Sequence, residues 1–260
     1  MNRIETTFKN LDRAALVTFI MAGDPSIENS AKVLAGLPDA GADIIEIGMP
    51  FTDPAADGLT IQHAGQRALA AGATMVSTLA MVRDFRENND ATPIVLMGYA
   101  NPIFSYGFEK FAQDASAAGV DGLIIVDLPP EEDGELRGLA DATGIDMIRL
   151  ITPTTVGARL DTVLSGAIGF LYYVSITGVT GTAKADMGAL KPHIDEIKTK
   201  TDLPIAIGFG IKTPEDVKSM AALADAVVVG SAIVDKVKDV RSGDASQVHD
   251  FVSGLSAALK

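Results

Sequence analysis

A chain of 260 residues without cysteine and with a formal net charge of −13 is already restricted in what it can be. The missing cysteines exclude a disulfide framework and a thiolate metal site, and the acidic balance argues against binding to nucleic acid or an anionic membrane. A hydrophobic content of 47% with only 5% aromatics predicts a core of Ala, Val, Ile and Leu, which suits helices packed on a parallel sheet.

The chain offers no membrane segment and no flexible joint. No apolar run approaches the roughly 18 residues that a bilayer span needs, and the first residues are polar, so we expect a cytoplasmic protein. No stretch is rich enough in Pro, Ser or like charges to be a linker, and apolar segments recur at similar spacing throughout. Residues 1–260 are therefore predicted to form a single domain.

In chain order, the first predicted element is a short helix, because Ile4, Phe8 and Leu11 recur at helical spacing. Eight short runs rich in β-forming residues follow, and most are continuously apolar rather than alternating. Continuous apolarity predicts burial on both faces, as in a parallel sheet that is covered by helices. The eight runs are 15–21, 43–48, 93–98, 122–126, 146–150, 170–174, 204–208 and 226–229.

Helix starts are predicted between these runs. Asp24-Pro25 places an N-cap acceptor before a proline at the first helical position, and Thr213-Pro214 does the same after the seventh run. Eight strand-helix units predict a single (β/α)8 TIM barrel rather than an open doubly wound sheet, since no early glycine-rich dinucleotide fingerprint occurs. The first helix would then plug the N-terminal end of the barrel.

Glu46 interrupts an otherwise apolar strand, and alternation gives its side chain the direction of Ile44 and Gly48. Active sites of TIM barrels collect at the carboxyl ends of the strands. A buried carboxylate without a partner is costly, so such a group tends to be protonated or functional. Glu46 is therefore a candidate proton-transfer group, and the alternative is a structural ion pair with an inward-facing Arg or Lys.

Asp57 lies in a turn-rich loop directly after the strand that bears Glu46, so both carboxyl groups can reach one pocket. By itself, the Asp57-Gly58 pair is typical of a solvated turn. The second carboxyl group therefore gains its functional interpretation from the first.

Two kinds of enzyme that use the barrel fold are disfavoured by what the strands lack. His63, His193 and His249 are scattered and none ends a strand, which argues against a metal-dependent aldolase. No Lys lies within the eight runs, so a buried amine for a Schiff base is missing as well.

Glycine-bearing turns follow the last three strands: Gly178-Val179-Thr180-Gly181, Gly208-Phe209-Gly210 and Gly230-Ser231. Glycines let backbone N–H groups approach an anion closely, and Ser231 is predicted to cap a short helix whose N-terminus favours a phosphate. Barrels commonly bind phosphate with the loops after strands 7 and 8. The alternative is that these glycines only close tight turns.

With these residues identified, the sequence resembles the tryptophan synthase alpha subunits over essentially its whole length. The string from Glu46 to Gly58 is similar to the signature of that family around its two catalytic carboxylates. Four further strings support the resemblance in the expected order: Tyr99-Ala100-Asn101-Pro102, Val126-Asp127-Leu128-Pro129, Ser175-Ile176-Thr177-Gly178-Val179-Thr180-Gly181 and Gly208-Phe209-Gly210-Ile211.

The resemblance implies a lyase that splits indole-3-glycerol phosphate into indole and glyceraldehyde 3-phosphate for tryptophan biosynthesis, with no cofactor in this subunit. It makes Glu46 the general acid/base and Asp57 the carboxylate that stabilises the indole nitrogen. Ile176 stands where some relatives carry a charged residue, which leaves the loop-closure contacts open. The implied substrate pocket comprises Phe19, Met97, Ile124, Tyr172 and Thr180. The implied phosphate site comprises Gly181, Phe209, Gly210, Gly230 and Ser231.

The resemblance also implies a partner, a beta subunit that uses pyridoxal phosphate to join indole to serine in an alpha2-beta2 complex. Loops after the second, third and fourth strands would make the contact. The implied interface residues are Asp53, Pro54, Asn101, Pro102, Phe104 and Pro129.

Two alternatives remain open at this point. Another phosphate-binding barrel enzyme, such as an isomerase or epimerase, would share the three glycine turns but not the string from Glu46 to Asp57. A catalytically silent barrel that serves only as a binding subunit would bind the ligand without turnover.

Overall fold

The computed structural model describes residues 2–174, 187–208 and 210–260, and within them the strands form one parallel sheet. The strands are Ala15–Met21 (β1), Ile44–Gly48 (β2), Ile94–Gly98 (β3), Gly122–Ile125 (β4), Asp146–Met147 (β5), Arg149–Ile151 (β6), Leu171–Val174 (β7), Ile205–Gly208 (β8) and Ala226–Val229 (β9). Their order is β5-β4-β3-β2-β1-β9-β8-β7-β6. The two edge strands are separated in the chain only by Ile148, so the sheet curls into a nearly closed barrel, as predicted.

Helices connect the strands and cover the outside of the sheet. They are Arg3–Asn10 (α1), Ile27–Gly36 (α2), Leu59–Ala70 (α3), Met75–Arg86 (α4), Ala100–Tyr106 (α5), Phe108–Ala118 (α6), Gly134–Thr143 (α7), Ala158–Leu164 (α8), Met187–Lys198 (α9), Pro214–Ala221 (α10), Ser231–Val237 (α11) and Ser246–Ala257 (α12). No helix among the described residues is long and apolar enough to cross a bilayer.

Alternate residues of each strand serve two separate apolar cores. Ile45 and Ile47 belong to the outer core between the sheet and the helices. Ile44 and Val95 instead pack inside the barrel, together with residues of α1. Because both faces of every strand are covered, the strands are apolar throughout rather than alternating, as the sequence indicated.

Helix α1 plugs the N-terminal end of the barrel, as predicted. Ile4 is fully buried in the inner core, and the rings of Phe8 and Phe170 lie 5.8 Å apart between centroids. The Asn2 side chain caps the helix by accepting a hydrogen bond from the Glu5 backbone N–H at 2.8 Å. The predicted helix is confirmed, and its apolar residues fill the N-terminal end of the barrel.

The fifth predicted run was wrong as a single strand. The segment is interrupted at Ile148, where β5 ends its pairing with β4 and β6 begins its pairing with β7. The change of neighbour divides one apolar run into two short ladders, although the backbone N–H of Ile148 still donates to Leu123 O at 2.9 Å.

One of the two predicted helix starts was also wrong. Helix α2 is capped by Ser26, whose hydroxyl accepts from the Asn29 backbone N–H at 3.2 Å, and not by Asp24. Asp24 is instead fully buried and paired with Arg67. The start of α10 is confirmed, since the Thr213 side chain accepts from its first turn and a proline follows it.

Candidate active site

Glu46 lies in the middle of β2 and faces the interior of the barrel, with Phe19 and Val95 as its register partners on β1 and β3. Its side chain is fully buried, and neither carboxyl oxygen has a hydrogen-bond partner in the part of the chain that the structure describes. The alternative of a structural ion pair therefore finds no support there. Because burial penalises the charged form, it raises the pKa of Glu46 to about 8.

Two strand-end glycines make room for aromatic rings beside this carboxyl group. A Cβ at Gly48 would lie 2.6 Å from the end of the Phe19 ring, and a Cβ at Gly208 would collide with the Tyr172 hydroxyl group. Both rings are almost completely buried, with Phe19 6% and Tyr172 9% exposed. Burial, and secondarily the charge of Glu46, raises the pKa of Tyr172 well above its ordinary value.

Met97 and Ile124 complete the apolar wall that the structure describes. They are register partners on β3 and β4, closer to the carboxyl ends of the strands than the level of Glu46. Met97 packs on both the inner core that contains Ile124 and Tyr172 and a smaller cluster that contains Phe19. Four of the five predicted pocket residues thus surround the mouth of the barrel on the Glu46 side.

Asp57 is half-buried in the loop between β2 and α3, directly before the N-cap residue of the helix, Gly58. Burial raises the pKa of Asp57, and the hydroxyl group of Tyr99 opposes that shift. The same hydroxyl group accepts a hydrogen bond from the Ala56 backbone N–H at 3.0 Å. Tyr99, which follows β3, therefore holds the loop that carries the second carboxyl group.

The predicted phosphate residues that the structure describes lie on two neighbouring loops. Gly210 follows β8, is exposed and has φ of 75°, a conformation that favours glycine. Gly230 is the N-cap of α11, and a Cβ there would lie 3.5 Å from Phe19 Cβ. Ser231 is the first helical residue rather than the cap, so its predicted capping role was wrong.

The string Ser175 to Gly181, with its glycine turn, and Phe209 lie outside the described residues. Predicted roles fall on four of these positions. They are Ile176, Thr180, Gly181 and Phe209.

The predicted interface residues lie at the carboxyl end of the barrel, but only Asp53, Pro54 and Pro129 are on loops. The loop placement was wrong for Asn101, Pro102 and Phe104, because the chain after β3 forms α5 at once. Asp53, Asn101 and Pro129 are exposed. Phe104 is 71% exposed, and its ring packs edge-on against Phe108 at 5.8 Å. Pro54 and Pro102 are partly exposed. The backbone N–H of Ala100 donates to Asp127 at 2.8 Å, which ties the start of α5 to the loop after β4.

Two of the three histidines make hydrogen bonds within the fold, away from Glu46 and Asp57. His193 contacts the Tyr173 hydroxyl group at 2.9 Å and the Thr155 carbonyl oxygen at 3.2 Å, and His249 contacts the Val33 carbonyl oxygen at 3.0 Å. Among the described residues, no group of three or more His, Cys, Asp and Glu side chains is arranged to hold a metal ion.

Sequence reasoning missed two features of this site. Tyr99 was available from the same signal that identified Glu46, a polar group at the carboxyl end of an apolar strand. The sequence could not show that Gly48 and Gly208 leave room for aromatic rings, because those rings belong to neighbouring strands.

Comparison with known proteins places the whole chain in one family. The model of the tryptophan synthase alpha chain matches residues 6–258. The tryptophan synthase subunit alpha of Legionella pneumophila str. Paris is 38% identical with a TM-score of 0.90, and the match covers 100% of this chain and 98% of that chain. A structure of Mycobacterium tuberculosis tryptophan synthase is 32% identical with a TM-score of 0.91, covering 99% and 98% respectively. The chain belongs to the tryptophan synthase alpha chain family.

Proposed function

We propose that Glu46 and Asp57 carry out the reaction of this protein, which as a member of its family is a lyase that cleaves indole-3-glycerol phosphate in tryptophan biosynthesis. The observation that carries the assignment is the Glu46 carboxyl group, fully buried in the barrel without a hydrogen-bond partner among the described residues. With a pKa of about 8, that group holds a proton at neutral pH and can deliver it.

The cleavage needs one proton added and one removed. Glu46 donates its proton to carbon three of the indole ring, which turns the ring into an electron sink with a positive charge shared by the ring nitrogen. Asp57 lies beside that nitrogen and offsets the charge. The carboxylate that Glu46 has become then takes the proton of the side-chain hydroxyl group. A carbonyl forms, the carbon–carbon bond breaks, and its electrons return to the ring to give indole and glyceraldehyde 3-phosphate.

The surroundings of Glu46 serve this chemistry by keeping the carboxyl group neutral before the reaction. Phe19 and Val95 flank it in the register, and Tyr172 lies within electrostatic range of it. An apolar setting disfavours the charged form more strongly than the neutral one, so the acid keeps its proton until the substrate is bound. The same walls, together with Met97 and Ile124, suit a flat apolar ring.

The test is indole release from indole-3-glycerol phosphate by the Glu46→Gln variant. Because an amide keeps the shape but cannot transfer a proton, we expect turnover to fall by about 10²- to 10⁴-fold or more. The affinity for indole should stay within about twofold, since the apolar wall is unchanged. Substantial turnover by the variant would show that Glu46 is not the acid/base.

Phosphate binding is proposed for the turns around Gly210, Gly230 and Ser231, with Gly181 and Phe209 as further members by family resemblance. Gly230 supports the proposal because it opens α11, and the first N–H groups of a helix have no acceptor within it. Gly230 also lies against Phe19 of the indole wall. A phosphate held there would be adjacent to the ring of the same substrate.

We further propose that residues 1–260 act as one domain that docks on a beta subunit in an alpha2-beta2 complex. The beta subunit would use pyridoxal phosphate to consume the indole. The exposed ring of Phe104 and the exposed side chains of Asp53, Asn101 and Pro129 support a contact at the carboxyl end of the barrel. Asp53 and Asp57 share one loop, so partner binding and catalysis would be coupled through it.

The Asp53→Ala variant tests the interface assignment, with Asp84→Ala on α4 as a control that changes another exposed carboxylate. We expect Asp53→Ala to bind the beta subunit more weakly and to lose part of any increase in turnover that the beta subunit causes. The control should change neither quantity. If Asp53→Ala matches the wild type in both measurements, the loop is not part of the interface.

A further inference from the structure

A bidentate ion pair joins α3, the helix after the loop that carries Asp57, to the loop after β1. Arg67 on α3 donates through Nε and Nη2 to the two carboxylate oxygens of Asp24, at 2.7 and 2.8 Å. Asp24 is fully buried, whereas the Arg67 side chain is 34% exposed. Paired N–H donors that meet both oxygens of a carboxylate fix direction as well as distance. The two residues are 43 positions apart, so the contact is a tertiary one.

Helix α3 is the element that fixes the backbone of Asp57. Its N-cap is Gly58, whose carbonyl oxygen accepts from the backbone N–H groups of Ile61 and Gln62 at 3.0 and 2.9 Å. The Gln62 side chain also donates to the carbonyl oxygen of Asp57 at 2.8 Å. The direction in which α3 points therefore sets where the Asp57 carboxyl group lies.

The apolar contacts of α3 do not by themselves fix its orientation. Ala64 and Ala68 are fully buried in a cluster with Phe19 and Val234. Methyl groups contribute burial, which is not directional, and they allow a helix to slide or rotate on its support. The loop after β1 nevertheless lies close to the segment after α3, since a Cβ at Gly23 would be only 2.6 Å from the Ala73 Cβ. The pair of Arg67 with Asp24 adds the directional contact.

The charges that face Arg67 come from two elements of the barrel. The hydrogen bonds with Asp24 are the largest influence on the guanidinium group and raise the pKa of Arg67. Asp235 and Asp239, at the end of α11 and just after it, add attraction in the same direction. Arg67 therefore stays charged between the loop after β1 and the helix that Gly230 begins.

We infer that Arg67 and Asp24 are positioning residues for catalysis, which hold α3 in the orientation that places the Asp57 carboxyl group against the indole nitrogen. This inference rests on the proposed role of Asp57. Neither residue needs to touch the substrate, because the pair acts through the first turn of α3.

The experiment is a double-mutant cycle on turnover with Arg67→Lys and Asp57→Asn. Lys keeps the positive charge but loses the bidentate geometry, so the fold should survive while α3 loses its fixed register. Since a misplacement of about 1 Å can cost about 10²-fold, we expect Arg67→Lys to lower kcat by about tenfold or more. In the Asp57→Asn background the same change should cost less than about twofold, because the carboxylate to be positioned is already gone.

A matched control separates positioning from general loosening of the barrel. Arg13 makes a similar bidentate pair with Asp43 at the other end of β2, at 2.7 and 3.0 Å. Arg13→Lys should reproduce any loss of thermal stability but leave kcat within about twofold of the wild type. Asp24→Asn, which keeps the shape and removes the charge, should show the same coupling to Asp57 as Arg67→Lys does.

Each outcome of the cycle separates the two roles. If Asp57→Asn retains wild-type turnover, the proposed role of Asp57 fails and this inference fails with it. If Asp57→Asn is impaired but Arg67→Lys costs the same factor in both backgrounds, the role of Asp57 stands and only the positioning inference is overturned. The positioning inference is likewise overturned if Arg13→Lys lowers kcat as much as Arg67→Lys.

Discussion

Asp43, just before β2, and Glu46, in the middle of the strand, are carboxyl groups in opposite environments. At the amino end, Asp43 accepts from the Leu16 backbone N–H at 2.7 Å and pairs with Arg13 at 2.7 and 3.0 Å. Three residues later, Glu46 is fully buried and has neither a donor nor a cation beside it in the described part of the chain. The same residue chemistry therefore serves opposite purposes along one strand.

The pairing at the amino end recurs around the barrel. Asp121 accepts from the Ile94 backbone N–H at 2.8 Å and pairs with Arg86 at 2.7 Å. Asp225 likewise accepts from the Ile205 backbone N–H at 2.9 Å. Each carboxylate precedes a strand and satisfies an N–H near the start of the neighbouring strand, which stabilises the sheet. Amino-end carboxylates thus hold the barrel together, whereas the interior one at Glu46 is left available for chemistry.

The largest expected effect is on the pH dependence of stability. Between pH 4.5 and about 8, folded Glu46 keeps a proton that the unfolded chain has lost, so stability falls as pH rises through this window. One pKa unit corresponds to about 1.4 kcal/mol, so the loss is on the order of several kcal/mol. Glu46→Gln should therefore gain stability relative to the wild type as pH rises from about 5 to about 9. Denaturant unfolding at several pH values measures the free energy of unfolding of both proteins. A difference between them that does not change with pH would show that Glu46 is not a protonated, buried acid.

The next effect concerns Asp57, the second carboxyl group at the carboxyl end of the barrel. Asp57→Asn should lower turnover by about 10²- to 10³-fold, because a neutral amide cannot offset the positive charge on the ring nitrogen. Indole release measures the loss, and thermal unfolding should show little change because Asp57 is only half-buried. A variant that lost stability without losing rate would group Asp57 with the amino-end carboxylates instead.

A smaller effect is expected from crowding the proposed phosphate turn. Gly230→Val puts a branched side chain beside Phe19 and over the backbone N–H groups that open α11. Affinity for a phosphorylated substrate analogue should fall by about tenfold, roughly the cost of one charge-assisted hydrogen bond, while affinity for free indole changes less. Calorimetric titration with both ligands gives the comparison, and equal losses would place the phosphate elsewhere.

The smallest effect tests the amino end directly. Asp43→Asn keeps an acceptor for Leu16 but removes the charge that Arg13 faces, so stability should fall by about 1–2 kcal/mol. Turnover should stay within about twofold, since this end of the barrel is remote from the proposed chemistry. If activity fell further than the loss of stability explains, Asp43 would also serve catalysis and the contrast with Glu46 would be wrong.

The barrel could be predicted from the sequence because its physics is local. Runs that are apolar on both faces, glycine-rich turns and the capping pattern at Thr213 are each readable over a few residues. Glu46 was identifiable for the same reason, since one carboxyl group within Ile44-Ile45-Glu46-Ile47 is conspicuous without any tertiary information. The direction of its side chain was narrowed to one of two faces, and the inner core that contains Ile44 decides between them.

What could not be predicted depends on contacts between distant segments. Asp24 looked like a helix cap because a proline follows it, but Arg67, 43 residues away, takes its carboxylate, and Ser26 caps the helix instead. The break at Ile148 follows from the change of neighbouring strand, which no local pattern records. Thr180, Gly181 and Phe209 lie outside the described residues, so their roles remain predictions.

The plug at the barrel floor has a consequence for the order in which the protein assembles. Helix α1 is synthesised well before its partners, since Asn2 donates to Asp146, 144 positions later, and Phe8 packs against Phe170. At synthesis rates of about 5–20 residues per second, these partners follow on the order of ten seconds later. An isolated helix of eight residues is marginal in water, so the N-terminal segment waits unfolded until the barrel exists to receive it. Helix α1 is thus made before the strands that hold it and is placed only after them.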